Sequence, residues 1–141
     1  MIKLDTISKI MTTTLHTVGA NVNFLEVKEV FDRFPIRHVL VVDGDKLLGM
    51  ISRTDFMRIT YGASLSEKGD DEINQLIYET VSAKEAMTKN LVTITSKSTI
   101  EEAARMLKRN ALHALPVVDN GKLKGIITTT DLLGYLIKHA S

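Results

Sequence analysis

Residues 38–55 read HVLVVDGDKLLGMISRTD, and residues 113–131 read HALPVVDNGKLKGIITTTD. Both stretches carry Val-Val-Asp, a glycine turn and Lys-Leu. A Gly, two apolar residues and a hydroxyl residue follow, with an Asp three positions beyond the hydroxyl. Working outward, when Met11 is laid on Met87 the chain aligns with itself through Asp55 on Asp131 without a gap. Met11, Thr12, Leu15 and Thr17 match Met87, Thr88, Leu91 and Thr93. Apolar stays opposite apolar between the identities: Val18 with Ile94, Phe24 with Ile100, Phe31 with Leu107. Self-similarity at one fixed period marks a repeat architecture, so the chain is an internal duplication.

Each copy reads as short helix, strand, helix, strand, turn, strand, helix. In copy two, Ser82 with Glu85 predicts a capping box opening a short helix, and Ser98 with Glu101 predicts a second one. Leu91–Thr95 alternates as a strand. Ile100, Ala103, Ala104 and Leu107 have helical spacing to about Arg109. Asn120-Gly121 predicts a two-residue hairpin between strands, with Asp43-Gly44 as its counterpart in copy one. Between the copies, YGASLSEKGDDE reads as an exposed loop, followed by a helix carrying Ile73, Leu76, Ile77 and Val81.

A unit of roughly 55 residues buries its sheet poorly alone; two copies packed together bury it well. The expected fold is mixed α/β, two βαββα repeats with pseudo-twofold symmetry and two equivalent clefts between them. Repeat 1 spans 1–60, a linker with a short helix 61–81, and repeat 2 82–141.

Composition narrows the function. The chain has 141 residues, 44% hydrophobic and 25% charged, which fits an ordinary globular protein. The net charge of +1 removes the electrostatic case for nucleic acid or an anionic membrane as main partner. There is no cysteine, which excludes disulfides, thiol nucleophiles and thiolate metal sites. The longest apolar run, Val39 to Val42, is far short of the ~20 residues a membrane helix needs. Without a signal-peptide core at the N-terminus, a cytoplasmic protein is expected. The histidines His16, His38, His113 and His139 show no ligand spacing, so no metal is expected. No Ser-His-Asp order, activated nucleophile or phosphate-binding glycine loop appears, so the chain does not read as an enzyme. The methionines Met11, Met50, Met57, Met87 and Met106 fall at core positions of the pattern.

The local motif has a chemistry of its own. A strand ends in hydroxyl residues, and an acid sits in the first turn of the helix that follows. Free N–H groups at a helix start bind anions, phosphate included. Ser52, Thr54, Thr128 and Thr130 add hydroxyls beside them, and Asp55 or Asp131 could accept the two hydroxyls of a ribose. Capping is the competing account of the same residues, since Ser and Thr are ordinary N-caps and Asp favours the helix dipole. Arg37 and His113 are matched before the second strand. Arg53 and Arg58 flank Asp55, where copy two has Thr129 and Gly134, so copy one has more charge for a phosphate.

These motifs, with the openings Ile10-Met11-Thr12 and Ala86-Met87-Thr88, resemble a tandem pair of CBS domains, named after cystathionine β-synthase, over about Ile7 to Lys138. The resemblance implies a stand-alone regulatory module whose clefts take an adenine nucleotide or adenosyl compound such as AMP, ADP, ATP or S-adenosylmethionine, with no required cofactor. It implies ribose carboxylates at Asp55 and Asp131, and polar contacts from Ser52, Thr54, Thr128 and Thr130. It also implies adenine contacts from Thr17, Val18, Val39 and Leu40, and from Thr93, Ile94, Leu115 and Pro116. Leu40 stands where copy two has Pro116, so the two sites need not be equivalent. The helices after the Asp motifs, with Phe56, Met57, Ile59 and Tyr61, then Leu132, Leu133, Tyr135, Leu136 and Ile137, are apolar beyond one stripe. That excess predicts a homodimer, with an unidentified effector protein reading the ligand state. An interaction module with empty clefts is the alternative from a different class.

Overall fold

A computed structural model describes residues 5–63 and 70–140. The chain forms two compact units. One runs from His16 to Asn90; the other joins the segment ending at Leu15 to the chain from Leu91 onward. We call them the Asp55 unit and the Asp131 unit.

In the Asp55 unit, β1 (Thr17–Gly19) pairs in parallel with β2 (His38–Asp43), which pairs antiparallel with β3 (Lys46–Ser52). The crossover from β1 to β2 is helix α1 (Phe24–Arg33), capped by Asn23, whose side chain accepts from Glu26 N. Phe24, Val27 and Phe31 fall one turn apart on α1 and are buried with Val18, Val39, Val41 and Ile51 of the sheet. Each such side chain contributes about 1.5–3 kcal/mol. Helix α2 (Arg53–Ala63) adds Phe56, stacked on Phe24 with ring centroids 4.8 Å apart. Helix α3 (Asp70–Thr80) brings Ile77 and Tyr78 against the same cluster. The short α4 (Ala83–Ala86) follows, with the expected Ser82–Glu85 capping box present in both directions.

The Asp131 unit holds α5 (Ile100–Arg109), the hairpin β4 (Ala114–Asp119) and β5 (Lys122–Thr128), and α6 (Thr129–Lys138). Its core contains Ile100, Ala103 and Leu107 of α5, Leu115, Val117 and Ile127 of the sheet, and Tyr135 of α6.

The packing units and the sequence copies have different limits. The opening of copy one, a 3-10 turn at Ile7–Lys9 followed by Met11-Thr12, belongs to the Asp131 unit. There Ile7 is fully buried and Thr12 bridges Ile126. The opening of copy two belongs to the Asp55 unit, where Ala83 is fully buried and Thr88 bridges Met50. Each hairpin is thus lined by the opening segment of the other copy. The motif glycines allow it. A Cβ on Gly125 would lie 2.8 Å from the Thr12 carbonyl oxygen, and one on Gly49 2.8 Å from that of Thr88.

Several local expectations shift. The strand expected over Leu91–Thr95 shrinks to a single parallel bridge, Ile94 with Val117. The next ladder donor, Ser96 N, turns instead to the Asp119 carboxylate at 3.0 Å, a side-chain acceptor that competes with the sheet. The α5 cap is Thr99, accepting from Glu102 N, one residue later than Ser98 with Glu101. Burying Ile100 as the first helical residue sets that frame, and Ser98 belongs to the preceding turn through Ser98 N to Thr95 O. In copy one the hairpin turn is Gly44-Asp45, since Asp43 already pairs with Lys46. Positive φ falls on Gly44 there, but on both Asn120 and Gly121 in copy two. The first is the glycine-first turn and the second its doubly left-handed relative. The loop expected from Tyr61 is helical over 61–63 and 70–72; its middle, 64–69, lies outside the described residues. Met57, expected in the core, is exposed.

Candidate functional site

In both units a β-strand ends on a hydroxyl residue, and a helix starts at once. β3 ends at Ser52, whose Oγ accepts from Asp55 N at 3.0 Å. β5 ends at Thr128, the N-cap of α6, whose Oγ1 accepts from Asp131 N at 3.1 Å. Asp131 completes a capping box, its Oδ2 accepting from Thr128 N at 2.9 Å. Capping is therefore realised at both helix starts, and each such cap contributes about 1 kcal/mol. It uses one oxygen of Asp131; a carboxylate has about four acceptor positions, so capping and ligand binding are compatible.

The two carboxylates have different further partners. Asp131 accepts from the Thr12 hydroxyl at 3.2 and 3.4 Å on its two oxygens. Asp55 is ion-paired with the exposed Arg58. Thr54 and Thr130 are exposed one residue before each Asp. Thr12, which the motif does not include, is brought beside Asp131 by the fold. Its match with Thr88 was visible, but the exchange that carries it to Asp131 was not.

Arg53 has a structural engagement. Its Nε donates to the Ile36 carbonyl at 3.1 Å and its Nη2 to the Phe31 carbonyl at 2.8 Å. The guanidinium carbon stands 5.1 Å from the Phe31 ring centre. Phe31 lies in the last turn of α1, where carbonyls lack helical partners and a cation is favoured. Arg53 N also donates to Arg37 O at 2.7 Å, and Thr129 N to His113 O at 3.0 Å, so both matched residues hold the strand-to-helix corner by backbone. The side chains of Arg37 and His113 are exposed.

The residues expected around adenine fall on the first-strand positions and the strand beside them. Thr17 is exposed and pairs with Leu40; Val18 and Val39 point into the core. Leu40 alternates to the opposite sheet face and is also buried. In the other unit Thr93 is exposed and Ile94 buried, with Ile94 N donating to Pro116 O at 3.1 Å. Leu115 is in the core and Pro116 is buried. Each unit therefore holds its own half of the expected residues: two hydroxyl residues and the Asp at the helix start, and four adenine positions on or beside the strands. Among the described residues, no cluster of three or more His, Asp or Glu could hold a metal, and no helix is long and apolar enough to cross a membrane.

Two carboxylates elsewhere in the Asp131 unit have altered acidity. The Tyr135 hydroxyl, then Lys9, hydrogen-bond Asp5 and hold its carboxyl below the ordinary carboxylate value. The Ser96 hydroxyl and backbone N–H do the same for Asp119.

Comparison with known proteins gives a consistent result. The CBS domain family model matches residues 7–62 and again 83–138. The uncharacterised protein MJ1232 of Methanocaldococcus jannaschii is 31% identical over 118 residues, 83% of this chain and 34% of that protein. Inosine-5′-monophosphate dehydrogenase of Bifidobacterium longum is 32% identical over 126 residues, 87% of this chain but 21% of the enzyme. The chain thus spans about a third or less of these relatives' lengths. Among solved structures, CBSX2 in complex with AMP superposes with a TM-score of 0.78 at 25% identity, covering 96% of this chain and 98% of that one.

Proposed function

Because the chain belongs to the CBS domain family, as a tandem pair matched over both copies, we propose that it is a regulatory module. It binds an adenine nucleotide or adenosyl compound and passes its occupancy to a partner protein. The observation that carries this reading is the recurrence, in both units, of a strand ending in a hydroxyl, a helix start and an Asp in its first turn. The AMP complex of a structurally similar protein supports the ligand class.

Asp55 and Asp131 accept the ribose hydroxyls. Ser52 and Thr54, or Thr128 and Thr130, meet phosphate together with the helix N–H groups. Thr17, Val18, Val39 and Leu40, or Thr93, Ile94, Leu115 and Pro116, take the adenine. Arg58, Arg37 and His113 supply positive charge. Arg53 acts by holding the helix start, because its guanidinium faces the Phe31 and Ile36 carbonyls. The module is a binding protein rather than a catalyst and works in the cytoplasm. Its output is linkage: a ligand that prefers one arrangement of the protein shifts the population toward it.

A ligand-free interaction module is the second reading. It is favoured by the exposed Leu133, Leu136 and Ile137 on α6. A thermal-shift screen with AMP, ADP, ATP and S-adenosylmethionine separates the two. Ligand at a hundred times Kd adds about 2.7 kcal/mol to the folded state, a rise of several degrees in Tm. No rise with any of the four favours the second reading.

A further inference from the structure

We propose that Thr12 is a positioning residue for the Asp131 ligand site, supplied to it by the opening segment of the other copy. The inference rests on reading Asp131 as a ribose carboxylate. Three observations converge on it. Thr12 is anchored by backbone on both sides: its N donates to Ile126 O at 2.8 Å and its O accepts from Ile126 N at 2.9 Å. The approach is close enough that Gly125 has no room for a Cβ, which would stand 2.8 Å from the Thr12 oxygen. From this fixed place the Thr12 hydroxyl reaches both oxygens of Asp131, at 3.2 and 3.4 Å.

The capping box alone holds Asp131 by one oxygen, Oδ2, to Thr128 N. One bond leaves the carboxylate plane free to turn. A second donor spanning both oxygens sets that plane, and two vicinal ribose hydroxyls need it set, because they must meet fixed acceptor directions. Oδ2 then carries Thr128 N and a share of the single Thr12 proton, while Oδ1 carries only the other share, so the open acceptor capacity lies mainly on Oδ1. The Asp55 unit is built differently. Thr88 occupies the matched bridge to Met50, but Asp55 is held by the ion pair to Arg58. A ribose arriving there displaces a cation; one arriving at Asp131 finds an oriented carboxylate.

AMP is the probe, titrated by calorimetry against protein carrying Asp55→Ala, so that the Asp131 site reports alone. Thr12→Val keeps the backbone bridge and side-chain shape while removing the hydroxyl. It should weaken AMP about three- to tenfold, the range of one hydrogen bond, and Thr12→Ser should restore it. When Asp131→Ala is also present, Thr12→Val should have no further effect. Unchanged affinity in Thr12→Val, or an equal loss with and without Asp131, overturns the proposal. A ligand-free arm keeps the two readings apart. In the absence of AMP, the Tm losses from Thr12→Val and Asp131→Asn should be less than additive; strict additivity overturns the positioning role whether or not AMP binds. Failure of the otherwise unsubstituted protein to bind AMP counts against the proposed function alone.

Discussion

The carboxylates of this chain differ by what surrounds them, and that difference can be measured. Asp5 receives the Tyr135 hydroxyl and Lys9, and its carboxyl lies below the ordinary value of about 3.9. A depressed carboxyl stabilises the fold above its unfolded value, and the contribution is lost as pH falls through the folded value. Asp5→Asn should therefore lower the urea midpoint at about pH 7, and the gap to the parent protein should narrow as pH falls below about 4. A gap that persists unchanged in acid would mean the hydrogen bond to Tyr135 is not the cause. Asp119, with Ser96 as partner, adds to the same acid sensitivity. Neither the Asp5–Tyr135 nor the Ser96–Asp119 pairing was legible in the sequence. Asp5 and Tyr135 lie at opposite ends of the chain, and no spacing rule joins them. The motif residues Ser52, Asp55, Thr128 and Asp131 were legible, because a repeat preserves them and helix starts use a known chemistry. Arg53 was visible as a charge beside Asp55. Its engagement with the Phe31 carbonyl of α1 and the Ile36 carbonyl beyond it depended on how α1 and α2 pack, which pattern alone does not carry.

At the scale of elements, the hairpins and the long helices followed from period and turn chemistry, and the errors were local. Thr99 rather than Ser98 caps α5, and the first strand of copy two gave way to a single bridge because Asp119 captured Ser96 N. What the sequence could not reveal was which opening segment lies on which hairpin, since both hairpins share the Val-Val-Asp, Lys-Leu and Gly pattern and both openings share Met-Thr. The exchange gives the motif glycines a specific task. Gly125→Ala would drive a Cβ against the Thr12 carbonyl and should cost about 1–3 kcal/mol in urea denaturation. Gly134, in α6, has open space around its would-be Cβ. Gly134→Ala should leave stability unchanged or raise it by up to ~1 kcal/mol. Equal effects at the two glycines would refute the close approach of Thr12.

At the scale of the molecule, duplication explains the economy of the chain: two similar units, each with its own core and each with its own helix-start carboxylate. Of the apolar side chains behind the expected dimer, Met57 on α2 and three on α6 stay exposed. Leu133, Leu136 and Ile137 on α6 are 59, 46 and 77% exposed, while Phe56 and Tyr135 of the same expectation serve the cores. We propose that a homodimer forms through α6. Sedimentation velocity at micromolar concentration should give a dimer that Leu136→Asp converts to monomer; a monomeric parent protein contradicts it.

The central claim, adenine nucleotide binding through Asp55 and Asp131, is tested most directly by equilibrium dialysis with labelled AMP on the parent protein and on the Asp55→Ala, Asp131→Ala double variant, with folding of both checked by circular dichroism. The account predicts saturable binding to the parent protein and at least a tenfold loss in the double variant. Saturable binding of equal affinity in both, or none to the parent protein, would contradict it.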